Sequence, residues 1–285
     1  MKRAYMIVLM IITMSLLAAC QNQPTISNDT SGILEVINSS EIDAMIDNDI
    51  AESVAGYAFD LFIEATQAIE EADSLLLNTT MRMTSSESTT GIIDATVSGT
   101  VAQVNTNAGE VEMKIALTTT LSDMEIPSVS FFRNGMFYAE VFGQGVKMSM
   151  ALEDVIQGAN ADIIEFSRES VLSENITELS GGSQRLSFEV YPSAIQHIVE
   201  NHFEGAEIGL TISNAEISAY LDVYGSLSRV ETSIDFTSDA DGQKADVSLW
   251  TQVDVVQVGG MLIHFPPHLD DFMEVASPHI SVILE

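Results

Sequence analysis

The residues of this chain that could do chemistry are few and scattered. His197, Glu200 and His202 in "HIVENH" set imidazoles beside a carboxylate, the ingredients of a zinc centre. An inverted zinc-protease helix needs its histidines four residues apart with the glutamate between them. Here they are five apart, which turns them about 140° from each other on a 3.6-residue helix. That spacing reads as solvent-facing side chains on a covering helix. His264 and His268 flank Pro266 and Pro267, and a bend at a strand exit accounts for them without a metal. "DFTSDADGQKAD" gathers Asp235, Asp239, Asp241 and Asp246 around Gly242. An EF-hand loop needs more oxygen ligands at set positions and a closing glutamate, so a hairpin loop is the better reading. Asp43, Asp47 and Asp49 read as a solvated helix face, with weak, nonspecific calcium binding left open. The sequence holds no Gly-x-Ser-x-Gly elbow, P-loop or dinucleotide fingerprint. The expectation is a protein without catalytic residues, metal or cofactor, and not an enzyme.

Cys20 is the single cysteine, so it cannot close an intramolecular disulfide. Lys2 and Arg3 precede Ala4 to Ala19, an almost wholly apolar stretch. That is the layout of a secretory leader, and it is shorter than the roughly 20 residues a membrane helix takes. The stretch ends in Leu17-Ala18-Ala19-Cys20, which resembles the bacterial lipobox. By that resemblance Cys20 becomes the mature N-terminus, with a diacylglycerol on its sulfur and room for a further acyl chain, such as palmitate, on its amine. The alternative is an ordinary signal peptide followed by an incidental cysteine. Two acyl chains, at ~0.8 kcal/mol per buried methylene, anchor a protein stably where one is marginal. The expected location is extracytoplasmic, on the outer leaflet of the cell membrane; Gln21 also permits an outer membrane where a host has one.

Charge narrows the partners. The chain carries 42 acidic against 10 basic side chains, a formal net charge of −32. Loss of residues 1–19 removes only Lys2 and Arg3 and deepens the excess. So few cations cannot assemble the basic patch that nucleic acid requires. An anionic lipid surface repels such a body within about 8 Å at physiological salt, so the domain is expected to stand off its membrane, as a monomer. High charge does not mean disorder here, since 46% of residues are hydrophobic,. Residues 20–32 read as the lipidated cysteine and a polar tether, and residues 33–285 as a single folded domain.

These features need a scaffold, and two textures supply it. Ser40 followed by Glu41 and Asp43 makes a plausible helix start. Ala58, Leu61, Phe62, Ala65, Ala68, Ile69 and Ala72 then recur at three- and four-residue spacing, predicting a helix from about Val54 to Ala72. From Ser74 to Met150 the chain turns to Thr, Val, Ile and Ser broken by short turn motifs, a run of antiparallel strands. Short helices are expected at Ser149–Gly158 and Pro192–His202. Further strands are expected at Ser173–Leu179, Arg185–Tyr191, Ile208–Val223, Leu227–Thr237, Ala245–Val258 and Met261–Phe265, then a closing helical turn in "FPPHLDDFMEV". The class is α+β: a large curved antiparallel sheet with a few helices covering its inner face.

One hairpin sets a problem. In "VSFFRNGMFYAEVFGQGVKMSM" the pair Asn134-Gly135 predicts a tight type I′ turn, opposing Phe132 to Phe137 and Phe131 to Tyr138. Phe132, Phe137, Ala139 and Val141 then share one face. Phe131, Met136, Tyr138 and Phe142 share the other, with Arg133 and Glu140. A ribbon apolar on both faces cannot leave one of them in water, so something must cover the second.

Lipobox, polar tether, helix, this hairpin, "LDVYGSLSRVETSIDF" and the closing "HFPPHLDDFMEV" together resemble a group of Gram-positive lipoproteins similar in fold to the LolA, LolB and LppX/LprG carriers. The resemblance spans roughly residues 55 to 275. It implies an unclosed β-barrel whose helices plug a hydrophobic cavity, and a lipid or other apolar ligand inside. Candidate cavity-lining residues are Phe131, Tyr138, Phe142, Met113 and Trp250. Ten of the 14 methionines lie beyond Cys20; they fill core gaps or give a greasy ligand an adaptable lining. A structural or interaction lipoprotein with a filled core and an acidic, cation- or partner-binding surface is the alternative.

Overall fold

The computed structural model describes residues 57–87, 91–106, 110–121, 124–141, 144–152, 155, 166–196, 209–240 and 243–275. Cys20, the Asp43–Asp49 acids, Phe142 and the His197–His202 triplet lie outside the described residues, as do Asp241 and Gly242.

Helix α1 spans Tyr57–Glu70 and buries Ala58, Phe59, Phe62, Ala65, Thr66 and Ile69. The predicted period holds, except that Ala68 faces solvent. Twelve strands follow: β1 (Ser74–Glu87), β2 (Gly91–Asn105), β3 (Val111–Leu121), β4 (Met124–Arg133), β5 (Met136–Val141), β6 (Gln144–Ser149), β7 (Val171–Glu178), β8 (Gln184–Val190), β9 (Gly209–Leu221), β10 (Leu227–Ala240), β11 (Gln243–Val258) and β12 (Met273–Glu274). They form one sheet in the order β12-β6-β5-β4-β3-β2-β1-β11-β10-β9-β8-β7. Every pair is antiparallel except β12 beside β6. The sheet is open, with β12 and β7 at its two ends.

That order has a simple cause. β1 to β6 pair successively as hairpins, and β7 to β11 also lie in sequence order, with residues 191–208 joining β8 to β9, so in each half consecutive strands are neighbours. The two halves join where β11 pairs with β1, for example Trp250 opposite Arg82 and Val253 opposite Thr79. The chain between β6 and β7 must therefore travel from one edge of the sheet to the other. Its described parts lie on one face: Val155 packs with Leu77, Val101, Met113, Phe132 and Phe137, and Phe166 packs against α1 and β8. We call this face inner.

The Asn134-Gly135 turn is formed as predicted, with φ of 53° and 70°. Register follows: Phe132 opposes Phe137, and Phe131 opposes Tyr138. Along the sheet, inner positions include Leu77, Val101, Ile115, Ile217, Val230 and Ile234, all buried. Across β7–β11 most outer positions are polar, as in Arg185, Ser187, Glu216, Glu231 and Asp254, with Trp250 an exception. Met261–Phe265, expected as a strand, is not one. Gly259 and Gly260 both adopt positive φ and turn the chain off the end of β11, where the Met261 amide donates to Ser74 Oγ at 3.1 Å.

The inner face beneath α1 is closed by four aromatic rings. Phe166 lies 5.4 Å from Phe59, 5.2 Å from Phe62 and 5.3 Å from Phe188. Edge-on and offset pairs of this kind add about 0.5–1.5 kcal/mol each beyond burial. Arg168 pairs with Asp60 and lies over the Phe59 ring, while Glu174 accepts the Phe59 amide at 3.0 Å. Helix, crossing segment and edge strand β7 are thus fastened together. Phe188→Ala should lower unfolding free energy by about 3–5 kcal/mol, read from denaturant titration of the purified chain.

Candidate functional site

The doubly apolar hairpin is the natural place to look, and each of its faces has a different cover. On the outer side, residues 265–275 fold back across β4–β6. Phe265 lies 5.8 Å from Phe131, and Phe272 lies 6.4 Å from Tyr138. Leu269 is completely buried between them, and with these rings it completes one cluster. Polar contacts pin this strap. Lys147 Nζ donates to the Asp270 carbonyl at 2.7 Å, Arg133 pairs with Asp270 at 3.7 Å, and the Arg133 guanidinium sits 4.9 Å over the Phe265 ring. β12 then adds to β6 with Met273 opposite Val146. Gly145 is required under the strap, because a Cβ there would lie 2.5 Å from the Phe272 ring.

This placement corrects the expected cavity lining. Phe131 and Tyr138 are 5% and 6% exposed, yet they are covered by the chain's own C-terminal strap on the outer face. Trp250 is on that face as well, since it opposes Arg82, whose guanidinium lies 5.8 Å from its ring. Met113 belongs to the inner face, opposite Phe132, and is 1% exposed within a packed cluster. The four described residues of that set cannot face one cavity. Strand alternation sorted them into two groups, but nothing in the sequence says that the tail, rather than a guest, covers the outer one.

A different group emerges on the inner face. The packed clusters cover β8–β11 beneath α1 and the halves of β1–β5 nearest the Asn134-Gly135 turn. The far halves of β1–β4 belong to neither. There, register aligns Met81 with Val97, Val97 with Thr119 and Thr119 with Ile126, and in the next row Met83 with Ala95 and Ala95 with Leu121. Val97, Ala95, Leu121 and Ile126 are half-buried and, among the described residues, belong to none of the packed clusters. Leu117, Met83 and Leu249 border the patch and tie it to the two cores. Thr119 and Thr79 bring buried hydroxyl-bearing side chains to the same face. Chemically this is an adaptable apolar surface with a few hydroxyls, suited to an acyl chain or similar ligand. The signal was legible as alternation in "MRMTSSE", "DATVSG" and "ALTTTL"; its significance depends on what lies above it.

The outer face has a groove of about 300 Å³ between Ser173, Asn175, Arg185, Ser187, Glu189 and Glu216. Its lining is polar, which is the wrong chemistry for a lipid. Beside it, Tyr220 donates to Glu231 at 3.0 Å, while Arg229 donates to Asp254 at 2.6 Å. Burial, then the Glu231 carboxylate, raises the Tyr220 phenol above its ordinary range. The Asp254 hydrogen bond raises Arg229. These groups form a solvated ion-pair lattice across β9–β11.

Those acids and histidines singled out in the sequence that lie among the described residues make ordinary polar and ring contacts. Asp235 accepts from Ser248 Oγ at 2.6 Å, and Asp246 accepts from Thr237 Oγ1 at 3.0 Å. His268 packs 5.7 Å from Phe272 within the strap. Among the described residues, no group of three or more His, Cys, Asp or Glu is placed to hold a metal ion. Among the same residues, no helix is long and apolar enough to cross a membrane.

No protein-family model matches the chain, and no curated protein does. Among solved structures, the crystal structure of LprF from Mycobacterium bovis overlays with a TM-score of 0.39 at 13% identity, covering 74% of this chain and 96% of that one. A DUF1329 family protein from Desulfovibrio piger gives 0.23 at 9% identity, covering 75% and 96%. A beta-barrel-like protein of domain of unknown function DUF1849 from Brucella abortus gives 0.17 at 10% identity, covering 65% and 100%. These overlays are loose, and the architecture stands on the strand order above.

The strap makes a testable claim about which face it guards. Leu269→Ala should cost about 2–5 kcal/mol locally. Amide exchange should accelerate in residues 263–275 and in β6, while β8–β10 keep their protection. Uniform acceleration across the sheet would show that the strap is not a separate cover.

Proposed function

We propose that the protein is a secreted, lipid-anchored lipoprotein of the cell envelope that holds a lipid or other hydrophobic molecule against the inner face of its open sheet. The observation that carries this reading is the half-buried patch of Val97, Ala95, Leu121 and Ile126 on β2–β4. Buried apolar surface is worth about 25 cal/mol per Å², so a sheet face left half-covered beside two packed cores retains unused binding free energy. An acyl chain lying along these rows would bury it. The acylated N-terminus would hold the domain at the membrane that supplies such ligands. Catalytic turnover forms no part of this reading.

Native mass spectrometry of the chain purified without detergent tests the proposal. The expected result is a copurifying lipid mass, displaced by a fluorescent fatty acid. Val97→Asp should weaken fatty-acid binding by tenfold or more, because it puts an ionised carboxylate into the patch. Val129→Asp, on the outer face of β4, reports general destabilisation. Repeated preparations with no lipid mass and no fatty-acid binding would sink the carrier reading.

A second reading is favoured by Met113 and Leu186, which are packed with almost no exposure. In it the interior is filled, and the acidic exterior meets a partner or cations. Binding of calcium without binding of fatty acid would support it.

A further inference from the structure

The turns at one end of the sheet are unlike the rest of the chain. Gly182 and Val223 are in contact across two of them, since a Cβ on Gly182 would lie 3.7 Å from Val223 Cγ1. The β7–β8 turn (residues 179–183) therefore sits beside the β9–β10 turn (residues 222–226). Next along the same end come the last residues of β11 and their continuation, residues 255–262. This follows from strand order and from the pairing of Val258 with Leu75. Their sequences are "LSGGS", "DVYGS" and "VVQVGGML".

Apolar side chains project from all three. Tyr224 is 87% exposed and Leu262 81%, and Val223, Val256, Val258 and Leu179 are exposed too. At about 4.8 Å per strand this ridge runs roughly 20–25 Å from β7 to β11. Scattered exposed apolar residues are ordinary, but Leu179, Val223 and Tyr224 sit on two touching turns, and such grouping marks a contact surface,. Charge sharpens the point. The chain as a whole has 42 acidic residues, yet these three segments carry one charged side chain, Asp222. Its carboxylate is engaged within its own turn, accepting the amides of Tyr224 at 2.8 Å and Ser226 at 2.9 Å. Glu178, Glu70, Glu71 and Asp73 lie just behind the ridge.

We infer that this ridge rests in the interfacial layer of a lipid bilayer whose headgroups carry little net charge. Tyr with Val and Leu at turn tips, free of charge, suits the headgroup boundary, where an apolar body and a polar tip are both satisfied. The acids behind the ridge select against an anionic surface. They also limit how deeply the domain sinks. The expected stand-off of the acidic body is kept everywhere except along this edge.

The inference rests on the proposed anchoring at Cys20, and chain reach permits it. The C-terminal end of α1 leads through residues 71–73 into β1 at the ridge end, and its first turn lies beside β7, where Glu174 accepts the Phe59 amide. Residues 21–56 can span up to about 120 Å when extended, ample to return from Tyr57 to the surface that holds Cys20.

Depth-dependent quenching on the full, processed chain tests this. Tyr224→Cys carries an environment-sensitive fluorophore, and Lys244→Cys at the opposite end of the sheet is the control. Each is reconstituted in phosphatidylcholine vesicles with or without headgroup-proximal nitroxide lipid. Flotation with the vesicles reads the anchor separately. The expected result is flotation of both variants, quenching of the 224 probe by nitroxide lipid, and its protection from aqueous acrylamide. The 244 probe should show neither, and about 30% anionic lipid should reduce quenching at 224. Flotation without quenching at 224 would leave the anchor standing and overturn the ridge. Protection from acrylamide without nitroxide quenching would mean that a protein surface covers it, including a second copy, and would also overturn the proposal. Failure to float would remove the anchor and the ridge together.

Discussion

A β-ribbon with aromatic side chains on both faces cannot be solvated on either one. That constraint, set by Phe131, Phe132, Phe137 and Tyr138 around the Asn134-Gly135 turn, governs much of the molecule. The inner rings are met by Met113, Met148 and the segment containing Val155. The outer rings are met by Phe265, Leu269 and Phe272. Two parts of the chain far apart in sequence are thereby committed to opposite sides of the same hairpin. The strap carries no strand of its own apart from the two residues of β12, so it is held by side chains: rings on rings, Arg133 and Lys147 on Asp270.

The second organising fact is the return of the chain from β6 to β7. Two such halves can share a sheet only if some segment crosses between its distant edges, and Val155 and Phe166 of that segment pack on the inner face. Phe166 then becomes part of the same aromatic group as α1 and β8. The crossing and the helix between them cover the inner face unevenly. Packed cores result over β8–β11 and near the hairpin turn, and a half-covered apolar patch remains on the far halves of β1–β4. That patch arises from topology and cover, not from any distinctive residue.

Acidity is arranged with equal unevenness. On β9–β11 the outer face pairs Arg229 with Asp254 and Glu231, so these charges stay solvated and partly balanced. Residues 179–183, 222–226 and 255–262 at one end of the sheet carry a single charged side chain, Asp222. A chain with this much negative charge repels most surfaces, and the place where repulsion lapses is the place where contact is cheapest.

Much of this was legible in the residues. The three- and four-residue period of α1, the alternation of β1–β11 and the positive-φ turn at Asn134-Gly135 are local properties, dictated by side-chain sterics and by which positions can be wet. Register followed from the turn, and with it the division of Phe131 and Tyr138 from Phe132 and Phe137. Alternation, however, states only that two residues share a face. It does not say whether that face is covered by a helix, a strap or a ligand, because the cover comes from elsewhere in the chain. Hence Phe131, Tyr138 and Trp250 looked like candidates for a cavity with Met113, and the fold put them on the other side of the sheet. Met261–Phe265 misled for a related reason: its composition suits a strand, but two glycines with positive φ end β11 just before it. The sequence alone determined the elements, their oily faces and the excess of acid. Only the tertiary structure decided which oily face met which, since long-range packing is a choice among partners that local pattern leaves equivalent.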